Sequence, residues 1–273
     1  MKSLVFDGIK LCYTLEGKGT PVVLLHGFCE DSRMWDDFKQ DLLEEQHRVL
    51  AIDLPGFGRS QLAETPSVDY YAQAVFAVMD ARKMEEAVVI GHSMGGYVAL
   101  AMAAQQPQRL KGLGLFHSHP FVDKPEKKAA RLKQVEFINK HGHQLFVKQL
   151  IPKLFAPAYA QSHPFDVDKF IHRAARYPAA GIVGGLYAMA NRPDRSHILS
   201  ELEAPVLFIV GAEDEAVPYE ASIDQLALPA IASVHWLPKV GHMGMVELMR
   251  PTQRIVRRFV DFCVNPGKMA TVS

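Results

Sequence analysis

The chain has 273 residues, enough for one large α/β domain or two modest ones and for a substantial core. Apolar residues are 48% and charged residues 22% of it, a balance ordinary for a soluble globular protein and unlike that of a disordered chain. Lys plus Arg equals Asp plus Glu, 30 against 30, so no global field recruits nucleic acid or an acidic membrane, and any electrostatic function must be local.

The opening MKSLVFDGIK has an apolar run cut at Asp7, too short for a signal-peptide core, and no later run reaches the length of a membrane span. Residues 3–14 alternate around Asp7-Gly8 and predict a β-hairpin at a sheet edge. Pro21 leads into Val22–Leu25, a strand buried on both faces, ending in His26-Gly27-Phe28. Trp35, Phe38 and Leu42 are spaced as on a helix. A strand over Val49–Leu54, the turn Pro55–Gly58 and a helix over about Val68–Met84 follow.

Val88-Val89-Ile90 then stops at Gly91-His92-Ser93-Met94-Gly95-Gly96, after which an alanine-rich helix begins. Strand, tight turn and helix form the context that a Gly-x-Ser-x-Gly nucleophile turn requires. A glycine-rich turn with a solvated serine is the plainer alternative. Gly91 and Gly95 leave room for so sharp a turn, and the free N–H groups of the helix can face an oxyanion. Leu110–Phe116 is another strand. Up to here strand and helix alternate, the pattern of a mostly parallel sheet with helices on both faces.

From His119 to about Arg195 no buried strand is predicted. Four helical stretches, near Glu126–Lys140, His143–Leu154, Val167–Arg176 and Ala179–Ala190, are punctuated by Pro152, Pro157, Pro164 and Pro178. Inserted after a strand end, they predict a helical cap across the carboxyl edge of the sheet. The predicted organisation is core over 1–118, cap over 119–196 and core again over 197–273. In the last part Val206–Val210 is a strand ending in Gly211-Ala212-Glu213-Asp214, Glu220–Leu226 a short helix, and Val234–Leu237 a strand leading to Gly241-His242. A final helix runs over Gly244–Val264, and a loose tail follows Pro266.

A serine hydroxyl needs a base, and the base an orienting acid. Asp214 and His242 follow later strands, in the order Ser, acid, His, and would reach the same sheet edge as Ser93. His92 and His26 read as supports of the turns they sit in, and His235 as structural. His117 and His119 could line a pocket or lie at the surface. Asp53 and Gly56–Gly58 fit no phosphate-binding pattern and read as a structural loop. The cap aromatics, with Met189, could roof an apolar pocket, although most should simply pack.

Five segments together resemble the α/β-hydrolase superfamily in its capped form: His26-Gly27-Phe28, Asp53–Ser60, Gly91–Gly96, Gly211–Pro218 with its Gly-x-x-Asp-x-x-x-Pro spacing, and Gly241-His242. The resemblance implies Ser93 as nucleophile, His242 as base, Asp214 as acid, and the backbone N–H groups of Phe28 and Met94 as the oxyanion hole. By the same resemblance Asp123, which follows the preceding strand, is a rival acid, since some relatives place the acid there. It implies no cofactor and no metal. It further implies a small acyl substrate cleaved through an acyl-enzyme. An ester is the first reading; thioester, lactone, carbon–carbon bond and perhydrolase chemistry remain open, as does a ligand receptor without turnover.

Cys12, Cys29 and Cys263 are odd in number, scattered and without metal-ligand spacing, which predicts reduced thiols and a cytoplasmic protein. Residues 119–160 hold Lys124, Lys127, Lys128, Arg131, Lys133, Lys140, Lys148 and Lys153 against Asp123, Glu126 and Glu136, a surplus of 8 − 3 = +5. This is either a solvated helix face or a field that draws in an anionic substrate, with Lys128 and Arg131 as its probes.

Overall fold

The computed structural model describes residues 1–217 and 219–265. Pro218 and the tail after Pro266 lie outside the described residues. The hairpin forms as expected. Strands β1 (Lys2–Phe6) and β2 (Ile9–Glu16) are joined by Asp7 and Gly8, both at positive φ, the geometry a two-residue hairpin turn demands. Then come β3 (Pro21–Leu25), α1 (Gln40–Glu44), β4 (Arg48–Asp53), α2 (Val68–Ala81), β5 (Ala87–His92), α3 (Met94–Gln105) and β6 (Leu110–Phe116).

The next six helices are α4 (Pro125–His141), α5 (His143–Leu150), α6 (Pro157–Ser162), α7 (Pro164–Ala174), α8 (Ala179–Ala190) and α9 (Ser196–Glu201). No described residue between β6 and β7 is in a strand. The chain finishes with β7 (Val206–Gly211), α10 (Tyr219–Asp224), β8 (Ala232–Leu237), α11 (Gly244–Glu247) and α12 (Met249–Val264).

The eight strands form one sheet in the order β1-β2-β4-β3-β5-β6-β7-β8. The pairings of β1 with β2 and of β2 with β4 are antiparallel; all others are parallel. Helix α3 packs on β5 and β6 beside α2, and α12 packs on β6 beside α1, so helices flank the sheet. The central strands are buried throughout and rich in Val, Ile and Leu, as a sheet covered on both faces requires. Their register sets Leu25 beside Gly91, Gly91 beside Leu115, Phe116 beside Ile209 and Gly211 beside Leu237. The carboxyl ends are therefore level, and the loops after them share one edge.

Two expected helices are broken. Trp35, Phe38 and Leu42 are buried as their spacing requires, but a 3-10 turn over Ser32–Trp35 carries the first, the turn after it the second and α1 the third. The final helix splits at Leu248, whose φ of −138° and ψ of +50° are not helical. Pro251 explains the break: it lacks the N–H that a continuous helix would need there, but is tolerated in the first turn of α12.

Candidate active site

Ser93 occupies the turn between β5 and α3 with φ +51° and ψ −115°, a left-handed conformation costly for any residue but glycine. The turn is held from β6. Ser93 N–H donates to the Phe116 carbonyl at 3.0 Å, and Ser118 Oγ donates to the Ser93 carbonyl at 2.8 Å. The glycines are demanded by close approach. A Cβ on Gly91 would overlap the Gly95 carbonyl, and one on Gly95 would lie 2.5 Å from the Leu25 carbonyl oxygen. Met94 opens α3, so its N–H has no intrahelical acceptor.

His242 Nδ1 lies 2.8 Å from Asp214 Oδ2. The other oxygen, Oδ1, accepts from the Ala216 and Val217 amides at 2.8 and 3.1 Å. Burial alone would raise Asp214, but His242, His117 and these bonds hold it far below the usual carboxylate range. The loop carrying His242 is itself braced. Its N–H donates to the Leu154 carbonyl at 2.7 Å, and the Glu247 carboxylate accepts from the Gly241, Met243 and Ala156 amides. Asp123, the rival acid, is engaged elsewhere. It pairs with Arg131 and, at 2.8 Å, with Arg192.

His117 and His119 are both buried rather than at the surface; His119 lines a separate cavity of about 440 Å³ beside Phe121 and Asp123, and His117 adjoins Asp214. The Nε2 of His117 accepts from Gly244 N–H at 3.2 Å, which puts the proton on Nδ1, 3.3 Å from Asp214 Oδ2. Gly211 N–H also lies 3.2 Å from Nδ1, but a protonated nitrogen cannot accept it. Burial pushes His117 down to about 4 against the pull of Asp214, so it is neutral near pH 7. Like Ser93, it sits at positive φ (+51°) directly after a strand. One atom each from His117, Asp214 and His242 lies within 4.8 Å of the others, a spacing that could hold a metal ion. A metal on His117 Nδ1 would move the proton to Nε2, where it would face the Gly244 N–H donor against donor. The hydrogen bonds thus account for the cluster without one.

A second relay ties two loops together. His92 Nδ1 lies 3.0 Å from Glu30 Oε2 and its Nε2 lies 2.9 Å from the His242 carbonyl. Both partners are acceptors, so His92 carries both protons. Burial opposes this, but Glu30 raises His92, and His92 with the Gly27 amide in turn lowers Glu30. Glu30 Oε2 also accepts from Gly27 N–H at 2.8 Å. His26 takes the supporting role expected of it. Its Nε2 accepts from Leu54 N–H and its Nδ1 donates to the Gly27 carbonyl, fixing the loop before Phe28. Asp53 is structural, accepting from the Ser32 and Arg59 amides.

Ser93, His242, His92 and Phe28 border a cavity of about 200 Å³. Leu150, Leu154 and Met189 from the helical segment complete its apolar wall, and Lys127 and Arg131 of α4 also line it. The basic residues of α4 divide between two settings. Lys128 is exposed on the outer face of α4, and Lys127, one residue earlier, is the lysine that faces the cavity. Of the other aromatics, Phe146 packs edge-on to Phe28, Tyr177 donates to Asp31 at 2.7 Å, and Phe165 is solvent-exposed. A larger cavity of about 650 Å³ runs between β8 and α12, past His235, and none of these site residues lines it.

Residues 22–258 match the Alpha/beta hydrolase family. A pimeloyl-[acyl-carrier protein] methyl ester esterase from Aeromonas salmonicida is 31% identical over 89% of this chain and 96% of its own. A 2-hydroxy-6-oxononadienedioate/2-hydroxy-6-oxononatrienedioate hydrolase from Pseudomonas putida is 28% identical over 93% and 92%. Among solved structures, a thermophilic esterase from Thermogutta terrifontis, with malate bound, superimposes with a TM-score of 0.89 at 29% identity, covering 96% of this chain and 97% of that one. With its nucleophile-type turn, its level strand ends and its match over most of the sequence, the chain belongs to the alpha/beta hydrolase family.

Proposed function

We propose that the protein is a serine hydrolase of short carboxylic esters, with Ser93 as nucleophile, His242 as general base and Asp214 as the orienting acid. The observation that carries this is the 2.8 Å His242–Asp214 contact in a loop that borders the same small cavity as the strained Ser93. Ser93 Oγ attacks the acyl carbon as His242 Nε2 takes its proton, and the imidazolium is steadied through Nδ1–H by Asp214. The Phe28 and Met94 amides stabilise the tetrahedral oxyanion. His242 then protonates the leaving alcohol, and water repeats the cycle on the acyl-enzyme. Asp214 stays ionised throughout, because it already accepts two amide bonds and faces two histidines.

The segment over 119–196 acts as the cap, its leucines and Met189 closing the cavity. A volume of about 200 Å³ suits a substrate smaller than a drug-sized ligand. Three free cysteines suit a reducing, cytoplasmic setting. Among the described residues no helix is long and apolar enough to cross a membrane.

The test is turnover of a short-chain ester by wild type and Ser93→Ala, with a fluorophosphonate as covalent label. Ser93→Ala should lose several orders of magnitude in kcat, stay folded and escape labelling. A folded Ser93→Ala variant with near-wild-type turnover would refute the assignment. Failure on esters with turnover of a thioester, lactone or vinylogous diketone would move the substrate and leave the triad in place.

A further inference from the structure

One wall of the cavity is cationic, and its charge is not needed for acyl transfer. Helix α4 presents Lys127, Arg131 and Gln134 at i, i+4 and i+7, one helix face turned toward Ser93. The neighbouring Lys124, Lys128, Lys133 and Lys140 are exposed, so the basic character of this helix divides into a wet face and a cavity face. Lys and Arg are seldom taken out of water without counter-charge.

Arg131 has such a partner in Asp123, but shares that single carboxylate with the buried Arg192. Lys127 Nζ donates to the Ala216 carbonyl at 2.6 Å, and among the described residues it forms no ion pair. Three cations against Asp123 leave the cluster at 3 − 1 = +2. Asp214 is committed to its two histidines, and Glu215 at the cavity rim is open to water. Burial and the nearby Arg131 push Lys127 down to about 8, as expected of a cation short of a counter-ion.

We propose that Lys127 and Arg131 form an anion subsite inside the catalytic cavity, and that the substrate is a short ester bearing a carboxylate on its acyl or alcohol part. The proposal rests on the serine-hydrolase reading above. Because subsite and nucleophile share so small a cavity, the anion and the scissile carbonyl are separated by only a few bonds. Charge-assisted hydrogen bonds from Lys127 and Arg131, made away from water, would fix the substrate's orientation before Ser93 attacks.

The experiment uses isosteric pairs. Monomethyl succinate is compared with methyl 4-methylpentanoate, which places the carboxylate on the acyl part, and acetoxyacetate with isobutyl acetate, which places it on the alcohol part. All four are followed by acid release in wild type, Lys127→Met, Arg131→Met and Lys128→Met. Wild-type kcat/KM should be at least about ten-fold higher for one anionic ester than for its neutral partner, and the preferred pair identifies the side that carries the charge. Lys127→Met, which keeps the aliphatic stem, should cut that ratio about ten-fold, and Arg131→Met should also lower it. Lys128→Met on the wet face should leave it unchanged.

If the neutral esters are turned over but neither anionic ester is preferred, or if Lys127→Met leaves the ratio unmoved, the subsite is wrong and the hydrolase stands. If no ester is turned over and the fluorophosphonate leaves Ser93 unlabelled, the underlying reading fails and this inference with it.

Discussion

A buried histidine with acceptors at both ring nitrogens must hold two protons, and His92 is in that position between Glu30 and the His242 carbonyl. The pair joins the loop bearing Phe28 to the loop bearing His242, so under the proposed mechanism it sets the distance between oxyanion hole and base. Glu30→Gln should therefore lower kcat by roughly 10- to 100-fold with KM little changed, since misplacement by a fraction of an ångström is felt in the transition state. Steady-state kinetics on one ester check this; a rise in KM with kcat unchanged would assign Glu30 to binding instead. Asp214→Asn should cost on the order of 10⁴ in kcat, by analogy with serine proteases. Asp123→Asn should cost far less, because Asp123 serves arginines; the reverse ranking would exchange the two acids. The proposed Ser93, Asp214 and His242 were singled out in the sequence because each sits in a short motif that follows a strand. Glu30 and His117 were not. Their partners lie far along the chain, at His92 and Asp214, and no local pattern marks a contact that only the closed sheet creates.

At the scale of elements, all eight strands follow from β-branched runs and turn residues, and the four longer helices of the inserted segment follow from their periodicity. The short helices α6 and α9 were missed, because six residues give too little periodicity to read. Which face of α4 meets the core was also hidden. Its apolar residues make no clean stripe, so Lys127 and Lys128 looked alike until packing separated them. Several polar contacts fasten the inserted helices to the core, among them Leu154 with His242, Ala156 with Glu247 and Arg195 with Asp69. Another is Tyr177 Oη, between α7 and α8, which donates to the buried Asp31 at 2.7 Å. Tyr177→Phe should destabilise the protein by about 1–2 kcal/mol, since Asp31 keeps Arg33 while losing one charge-assisted bond. Urea unfolding measures the loss, and limited proteolysis should cut first within 119–196. Unchanged stability and cleavage pattern would show that this bond does not fasten the segment.

Over the whole molecule, buried histidines set the response to acid. Burial pushes His117 to about 4, and burial with the nearby Arg192 and Lys127 pushes His119 to about 3, against an ordinary value of 6.5. Burial also lowers His47. In the unfolded chain these residues take up protons as pH falls below 6.5, while the folded chain does not, so stability must fall with pH from 6.5 toward 4. The buried carboxylates Glu30, Asp31, Asp123 and Asp214 are held below their ordinary values, so their contribution is present above about pH 4 and is lost only further down. His92 is shifted the other way. Its contribution is complete below 6.5 and fades as pH rises through its folded value, so it does not mask the acid limb. Each neutral buried histidine adds about 1.4 kcal/mol per pH unit within the window. His117 and His119 together should therefore remove about 3 kcal/mol between pH 6.5 and 5, since each unfolded histidine is only half protonated at 6.5, or on the order of 10 °C in Tm. His119→Phe keeps a ring against Phe121 and removes one titrating group, so it should roughly halve the slope of Tm against pH in this range. Parallel slopes for wild type and variant would mean that His119 takes up its proton in the folded state, and that the acid limb has another origin.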